Sequence, residues 1–131
     1  MAEPGLSDDP MKAIMEVLRD AQLSVPGLQG VAIISTDGLP MASSIDSRIS
    51  EGELAALASS MLAIGANAIE SLKKGGLDSL YVKAERGFIL LRHSGPLAVV
   101  VFITKEEARL GPLLLELKRT AEKFEKLLGF G

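Results

Sequence analysis

The apolar positions of this chain change period several times, and each change marks an element. Met11, Ile14, Met15, Leu18, Ala21 and Val25 recur at spacings of three and four. They predict a first helix, capped by Asp9 with Pro10 at its first position and ended by Pro26-Gly27. From Leu28 the pattern becomes nearly continuous: LQGVAIIS is β-branched and predicts a central strand buried on both faces. Thr36-Asp37-Gly38 supplies a hairpin turn, and residues 38–45 return as a weaker strand that Pro40 marks as an edge. A polar link from Asp46 to Ile49 leads to a long helix, Ser50 to Gly76. Beyond it, Leu80, Val82 and Ala84 alternate with Tyr81, Lys83 and Glu85, the pattern of a strand with distinct faces. Arg86-Gly87 turns the chain, and FILLRHS and LAVVVFIT follow as two further strands, the second apolar enough to lie mid-sheet. Thr104 and Glu107 have capping-box spacing, but Pro112 sits badly inside a helix begun there, so the last helix is expected from Gly111-Pro112, after a turn at 105–110. Its inner face is Leu113, Leu114, Leu117, Ala121, Phe124, Leu127 and Leu128. Lys118, Arg119, Lys123 and Lys126, interleaved with Glu116, Glu122 and Glu125, form its solvated side.

The long helix organises the rest. Ser50 and Glu53 have the spacing of a capping box, worth about 1 kcal/mol. Lys73 and Lys74 suit the negative end of the helix dipole, and Gly75 or Gly76 suits the left-handed residue that closes a helix. Leu54, Leu57, Met61, Ile64, Ala68 and Leu72 form one apolar stripe; Ala55, Ala58, Leu62, Gly65 and Ile69 form a second beside it. Together they cover roughly 200°, twice the ~100° a helix needs to sit on one core. Two stripes imply two burials. The second, built partly of Ala and Gly, lets another backbone come close, which suits an oligomer contact. The remaining arc, with Glu53, Ser60, Asn67, Glu70, Ser71 and Lys74, is polar but sparsely charged.

The order α-ββ-α-βββ-α has strand links short enough for hairpins, so strands one and two pair, as do three, four and five. With three helices to cover two apolar faces, the expected fold is α+β: a three-layer α/β/α domain around a five-stranded, mostly antiparallel sheet.

Composition narrows the function more by exclusion than by assignment. The 131 residues make one domain, with no Cys for disulfides or thiolate metal sites. A net charge of −3 and dispersed Lys and Arg argue against nucleic acid as the main partner. The run Leu97 to Ile103 is too short to span a bilayer and the first residues have no signal-peptide pattern, so the expected location is the cytoplasm, without membrane insertion. The single histidine, His93, has no partner His or Cys for a metal. Ser59-Ser60 lacks a nucleophile-elbow context, and phosphate-binding glycine loops are absent. Asp8-Asp9 and Glu106-Glu107 are adjacent pairs whose side chains diverge, and the five aromatics are too dispersed to stack bases. No catalytic, cofactor-binding or metal-ligating residue is assigned.

Val25-Pro26-Gly27-Leu28-Gln29-Gly30-Val31 before the first strand, the Ser35-Thr36-Asp37-Gly38 hairpin, the Ala-rich second helix, and Leu110-Gly111 opening a helix with Leu117-Lys118 resemble the Roadblock/LC7 domain, a relative of the profilin and longin folds. The resemblance covers residues 11 to about 128, giving an arm at 1–8, the domain at 9–128 and a tail at 129–131. It implies a non-enzymatic dimer, with itself or a paralogue, that scaffolds or regulates a small Ras-like GTPase or serves as a dynein light chain. It also implies third strands paired across the dimer, two long helices side by side on one face, and the first and last helices on the other. The interface expected from it is Ala58, Leu62, Gly65 and Ile69 with Leu80, Tyr81 and Val82 of the strand Ser79 to Glu85. The expected partner platform is Glu53, Ser60, Asn67, Glu70, Ser71 and Lys74. The alternative is a small-molecule-sensing or structural domain of the same architecture.

Overall fold

A computed structural model describes residues 9–129. The expected arm at 1–8, and Phe130 and Gly131 of the expected tail, lie outside the described residues. Three helices and five strands follow in the expected order: α1 (Pro10–Ser24), β1 (Leu28–Ser35), β2 (Pro40–Ser44), α2 (Glu51–Ser71), β3 (Leu80–Ala84), β4 (Gly87–Ser94), β5 (Ala98–Thr104) and α3 (Leu110–Leu127). The strands form one antiparallel sheet in the order β2-β1-β5-β4-β3.

The two expected strand groups are joined by β1 against β5, with Val31 opposite Phe102 and Ile33 opposite Val100. Joining the two most apolar strands puts both in the interior, where each is covered on both faces. On one face Val31, Ile33, Leu90, Val100 and Phe102 meet Ile14 and Leu18 of α1 and Leu113, Leu117 and Phe124 of α3. On the other, Ala32, Ile34, Leu91, Val99 and Val101 meet Leu54, Ala55, Ala58 and Leu62 of α2. The three layers are therefore α1 and α3, the sheet, and α2.

Local signals set most boundaries. Asp9 caps α1 by accepting from the Met11 N–H at 3.0 Å, and Ser50 caps α2 by accepting from the Glu53 N–H at 3.2 Å. The β3–β4 hairpin turns at Gly87, where φ is +140° and an added Cβ would collide with the Thr104 carbonyl. Only glycine fits there.

Three details depart from expectation. α3 begins at Leu110, one residue early, because Pro112 then falls in the first turn, where its missing N–H costs nothing. As expected, Thr104 does not open that helix; its hydroxyl accepts from the Phe88 N–H at 2.9 Å. Glu116 is buried at 4% exposure, its carboxylate accepting from Thr120 Oγ1 at 3.1 Å, while Met11 is exposed. α2 closes before its glycines: the Lys74 N–H reaches the Ile69 carbonyl at 3.1 Å, and Lys73 itself takes the left-handed conformation, φ +56°. The early stop lets the chain return so that Leu77 packs with the α2 cluster ahead of β3.

A left-handed lysine costs roughly 1 kcal/mol that glycine does not. Lys73→Gly is accordingly expected to raise stability by about 0.5–1 kcal/mol, read from the urea midpoint at unchanged slope. A neutral or negative change would show that the strain is relieved elsewhere.

Candidate protein-interaction surface

α2 crosses the sheet with only part of its circumference covered. Leu54, Ala55, Ala58 and Leu62 are its buried residues. Leu57, Ile64 and Leu72 are 55%, 70% and 67% exposed, with Met61 half-buried and Ala68 exposed between them. The small-residue stripe expected at a partner contact is in part the chain's own core, while the bulky stripe is buried only at Leu54 and otherwise largely open. Ala58 and Leu62 lie in the chain's own core. An added Cβ on Gly65 would touch Leu80 Cδ2 at 3.4 Å, so this glycine seats the helix over its own β3. Ile69 and Leu80 are half-buried. The physical reason is distance: Ala55 and Ala58 let the helix lie close to the sheet, with Leu54 and Leu62 packing beside them, while Leu57, Ile64 and Leu72 lie round the helix from that contact.

Of the interface residues named from sequence, Tyr81 and Val82 remain open, each 45% exposed. They lie on β3, which pairs only with β4 and so forms one edge of the sheet. The opposite edge, β2, is blunted. Pro40 has no N–H to offer, a register shift interrupts its pairing with β1, and Gln22 Nε2 donates to the Ser44 carbonyl at 3.1 Å. β3 carries only Lys83 as a comparable deterrent.

The six platform residues, Glu53, Ser60, Asn67, Glu70, Ser71 and Lys74, are all exposed. At 100° per residue the arc from Glu53 through Ser60, Asn67 and Ser71 to Lys74 flanks the bulky stripe and points away from the sheet. None of these residues is arginine. Arg48, in the link before α2, donates from Nη2 to Asp46 at 2.6 Å and from Nε at 3.1 and 3.2 Å. The side-chain hydrogen bond from Arg48 lowers the Asp46 pKa to about 2. A lowered carboxylate pKa means the pairing is complete above the ordinary carboxylate range and lost only as pH falls toward 2.

Among the described residues, two clefts lie away from α2. A cleft of about 500 Å³ is lined by Gln22, Asp46, Arg48 and Lys105 among others, but the Gln22 amide is engaged with Ser44 and Gln29 and Asp46 with Arg48. A second, of about 510 Å³, lies between Leu39, Met41, Leu97 and Leu128. His93 Nδ1 is buried without a hydrogen-bond partner among the described residues. α2 is long and apolar enough to cross a membrane, yet its contacts with the sheet hold it as a layer of the domain.

Comparison with known proteins is consistent across sequence and fold. The sequence model of the Roadblock/LC7 domain matches residues 14–103. The uncharacterized protein MJ1340 of Methanocaldococcus jannaschii is 25% identical over 101 residues, 77% of this chain and 88% of that protein. Among solved structures, an MglB with tetrameric arrangement superposes with a TM-score of 0.82 at 23% identity, covering 96% of each chain. The gliding protein MglB of Thermus thermophilus gives 0.82 at 20% identity, covering 99% of this chain and 100% of that one.

The two stripes of α2 predict opposite responses to charge. Leu62→Glu places a carboxylate in the core and is expected to cost several kcal/mol of folding stability. Ile64→Glu, on the open stripe, is expected to leave the single-chain fold within about 0.5 kcal/mol. Far-ultraviolet circular dichroism during urea titration checks both, at concentrations low enough to keep the chain monomeric. Comparable losses would mean both stripes face the core.

Proposed function

The chain belongs to the Roadblock/LC7 family, and from that premise we propose that it is a non-enzymatic, dimeric interaction module that binds, scaffolds or regulates a small Ras-like GTPase. The observation that carries the dimer is the pairing of two uncovered features: the bulky stripe of α2 and the open edge of β3. Leaving the uncovered parts of Leu57, Ile64 and Leu72 in water forgoes roughly 1–2 kcal/mol for each. An open edge also leaves N–H and C=O groups able to recruit any passing strand. A second copy placed edge to edge with β3 and stripe to stripe with α2 answers both.

The polar arcs of the two α2 helices then lie together on the outer face as the partner platform. The arc's serines and Ala56 and Ala63 allow close approach by a partner's element. It supplies no arginine to stabilise phosphoryl-transfer charge, a contribution of ~10³ to 10⁵ in rate where a partner provides it. The proposed mode of regulation is therefore tethering the GTPase or positioning its own catalytic residues.

Light scattering on a size-exclusion column tests the dimer. The expected mass at micromolar concentration is twice the 13.8 kDa of the chain, with Ile64→Glu shifting toward monomer; a wild-type monomer would defeat the proposal. For the platform, a small GTPase encoded near this gene serves as the probe, loaded with GDP or a GTP analogue. Asn67→Arg is expected to weaken its binding at least tenfold while the dimer mass stays unchanged. In single-turnover hydrolysis Arg48→Ala should behave as wild type. Loss of a stimulated rate with binding intact would make Arg48 a catalytic contributor.

A further inference from the structure

How two copies meet at the open edge follows from one hydrogen bond inside the sheet. The Phe88 N–H donates to Thr104 Oγ1 on the β5 side at 2.9 Å, so Phe88 turns its N–H away from β3. Its partner across the β3–β4 ladder is Lys83, and this pair is one that exchanges no backbone bonds. Such pairs alternate with bonded ones along an antiparallel ladder. Leu80, Val82 and Ala84 therefore spend their backbone groups on β4, whereas Tyr81 and Lys83 present theirs to the free edge.

We propose that a second copy pairs antiparallel with this edge about a two-fold axis at Val82, so that Tyr81 of each copy exchanges hydrogen bonds with Lys83 of the other. The proposal rests on the dimer proposed above and fixes its register. Two-fold pairing must set outward residues against outward residues, which an axis at any residue of Leu80–Ala84 does; an axis at Leu80 or Ala84, however, sets both Tyr81 and Lys83 against residues outside β3. An axis at Lys83 opposes two ammonium groups and forces Tyr81 against the hairpin residue Glu85. An axis at Tyr81 pairs Lys83 with Ser79, outside β3. Only the axis at Val82 uses every outward group inside Leu80–Ala84.

Side chains favour the same register on both faces. On the α1 and α3 face, Tyr81 rests edge-on against Phe88, ring centroids 6.3 Å apart at 67°, which leaves its ring open to the ammonium of a facing lysine. Lys83 is the residue this register places there, turning a charge that would deter pairing into a cation–π contact. On the α2 face, Val82 meets Val82 and Leu80 meets Ala84, all apolar.

The absence of native cysteine makes the register readable by single thiols. In a pair that exchanges no backbone bonds, opposed Cβ atoms lie about 4.5 Å apart, near the span of a disulfide. Val82→Cys, Tyr81→Cys and Lys83→Cys would each be oxidised with a mild disulfide such as oxidised glutathione. Each would also be weighed under reducing conditions by light scattering. The expected result is rapid conversion of Val82→Cys to a covalent dimer, with the other two lagging at least tenfold. Faster cross-linking of Tyr81→Cys or Lys83→Cys in a protein that is dimeric when reduced would overturn the register while leaving the dimer standing. A dimeric but uncross-linked Val82→Cys would overturn it too, and a monomeric wild type would remove the dimer itself. As a second readout, Lys83→Glu should raise the dimer dissociation constant about tenfold through loss of two cation–π contacts. No change would count against the Tyr81–Lys83 pairing.

Discussion

A helix that is apolar around most of its circumference cannot be satisfied by one sheet face, and this constraint shapes the whole domain. α2 gives its small side chains to the sheet, with Ala55 and Ala58 at 0% and 1% exposure, and keeps Leu57, Ile64 and Leu72 outside. The opposite layer also leaves large apolar side chains exposed, Met11 and Leu23 on α1 and Leu115 on α3, but divides its burial between two helices. There α1 and α3 share the burial of Phe102 and Phe124, and each helix carries one apolar stripe with charges beyond it. The layers differ in that one helix alone covers the α2 face and carries Leu57, Ile64 and Leu72 on its open side.

The strand edges repeat that asymmetry in hydrogen bonds. β2 is protected by Pro40, by a register shift and by Gln22, which donates to the Ser44 carbonyl and accepts from the Ser44 hydroxyl at 2.6 Å. Each device removes or occupies a backbone group that a foreign strand would need. β3 lies beside the C-terminal half of α2, as the approach of Gly65 to Leu80 shows.

Much of this was legible in the sequence, because its signals are local. The continuous apolar runs at 28–35 and 98–104 marked strands covered on both faces, and Ser50 and Asp9 marked helix starts. The join of β1 to β5 was not legible, since periodicity carries no information about which distant strands pair. The choice between stripes on α2 failed for a different reason. Both are apolar, so hydrophobicity does not separate them, and the close spacing between helix and sheet draws in Ala55, Ala58 and Leu62 of the small stripe with only Leu54 of the bulky one. Glu116 illustrates a third limit: a carboxylate among surface charges reads as solvated until Thr120, one turn on, is seen to satisfy it in the packed layer.

What the α2 surface lacks is as informative for mechanism as what it holds. A partner that accelerates phosphoryl transfer by charge must carry a cation free to move into the site, and such a group is effective because it is otherwise poorly satisfied. Arg48 is the cation nearest the start of α2, and it is already held by both oxygens of Asp46, a carboxylate kept ionised down to about pH 2. To act on a nucleotide it would first have to leave that carboxylate, although water already screens much of the pair's strength on the exposed side. Lys74, at the far end of the arc, is a point charge without the planar fork that grips phosphate oxygens in two places. The polar arc of α2 is therefore chemically quiet, on a helix anchored by Leu54, Ala55, Ala58 and Leu62. In the role proposed for it, such a surface would act on a GTPase through the shape in which it holds that protein.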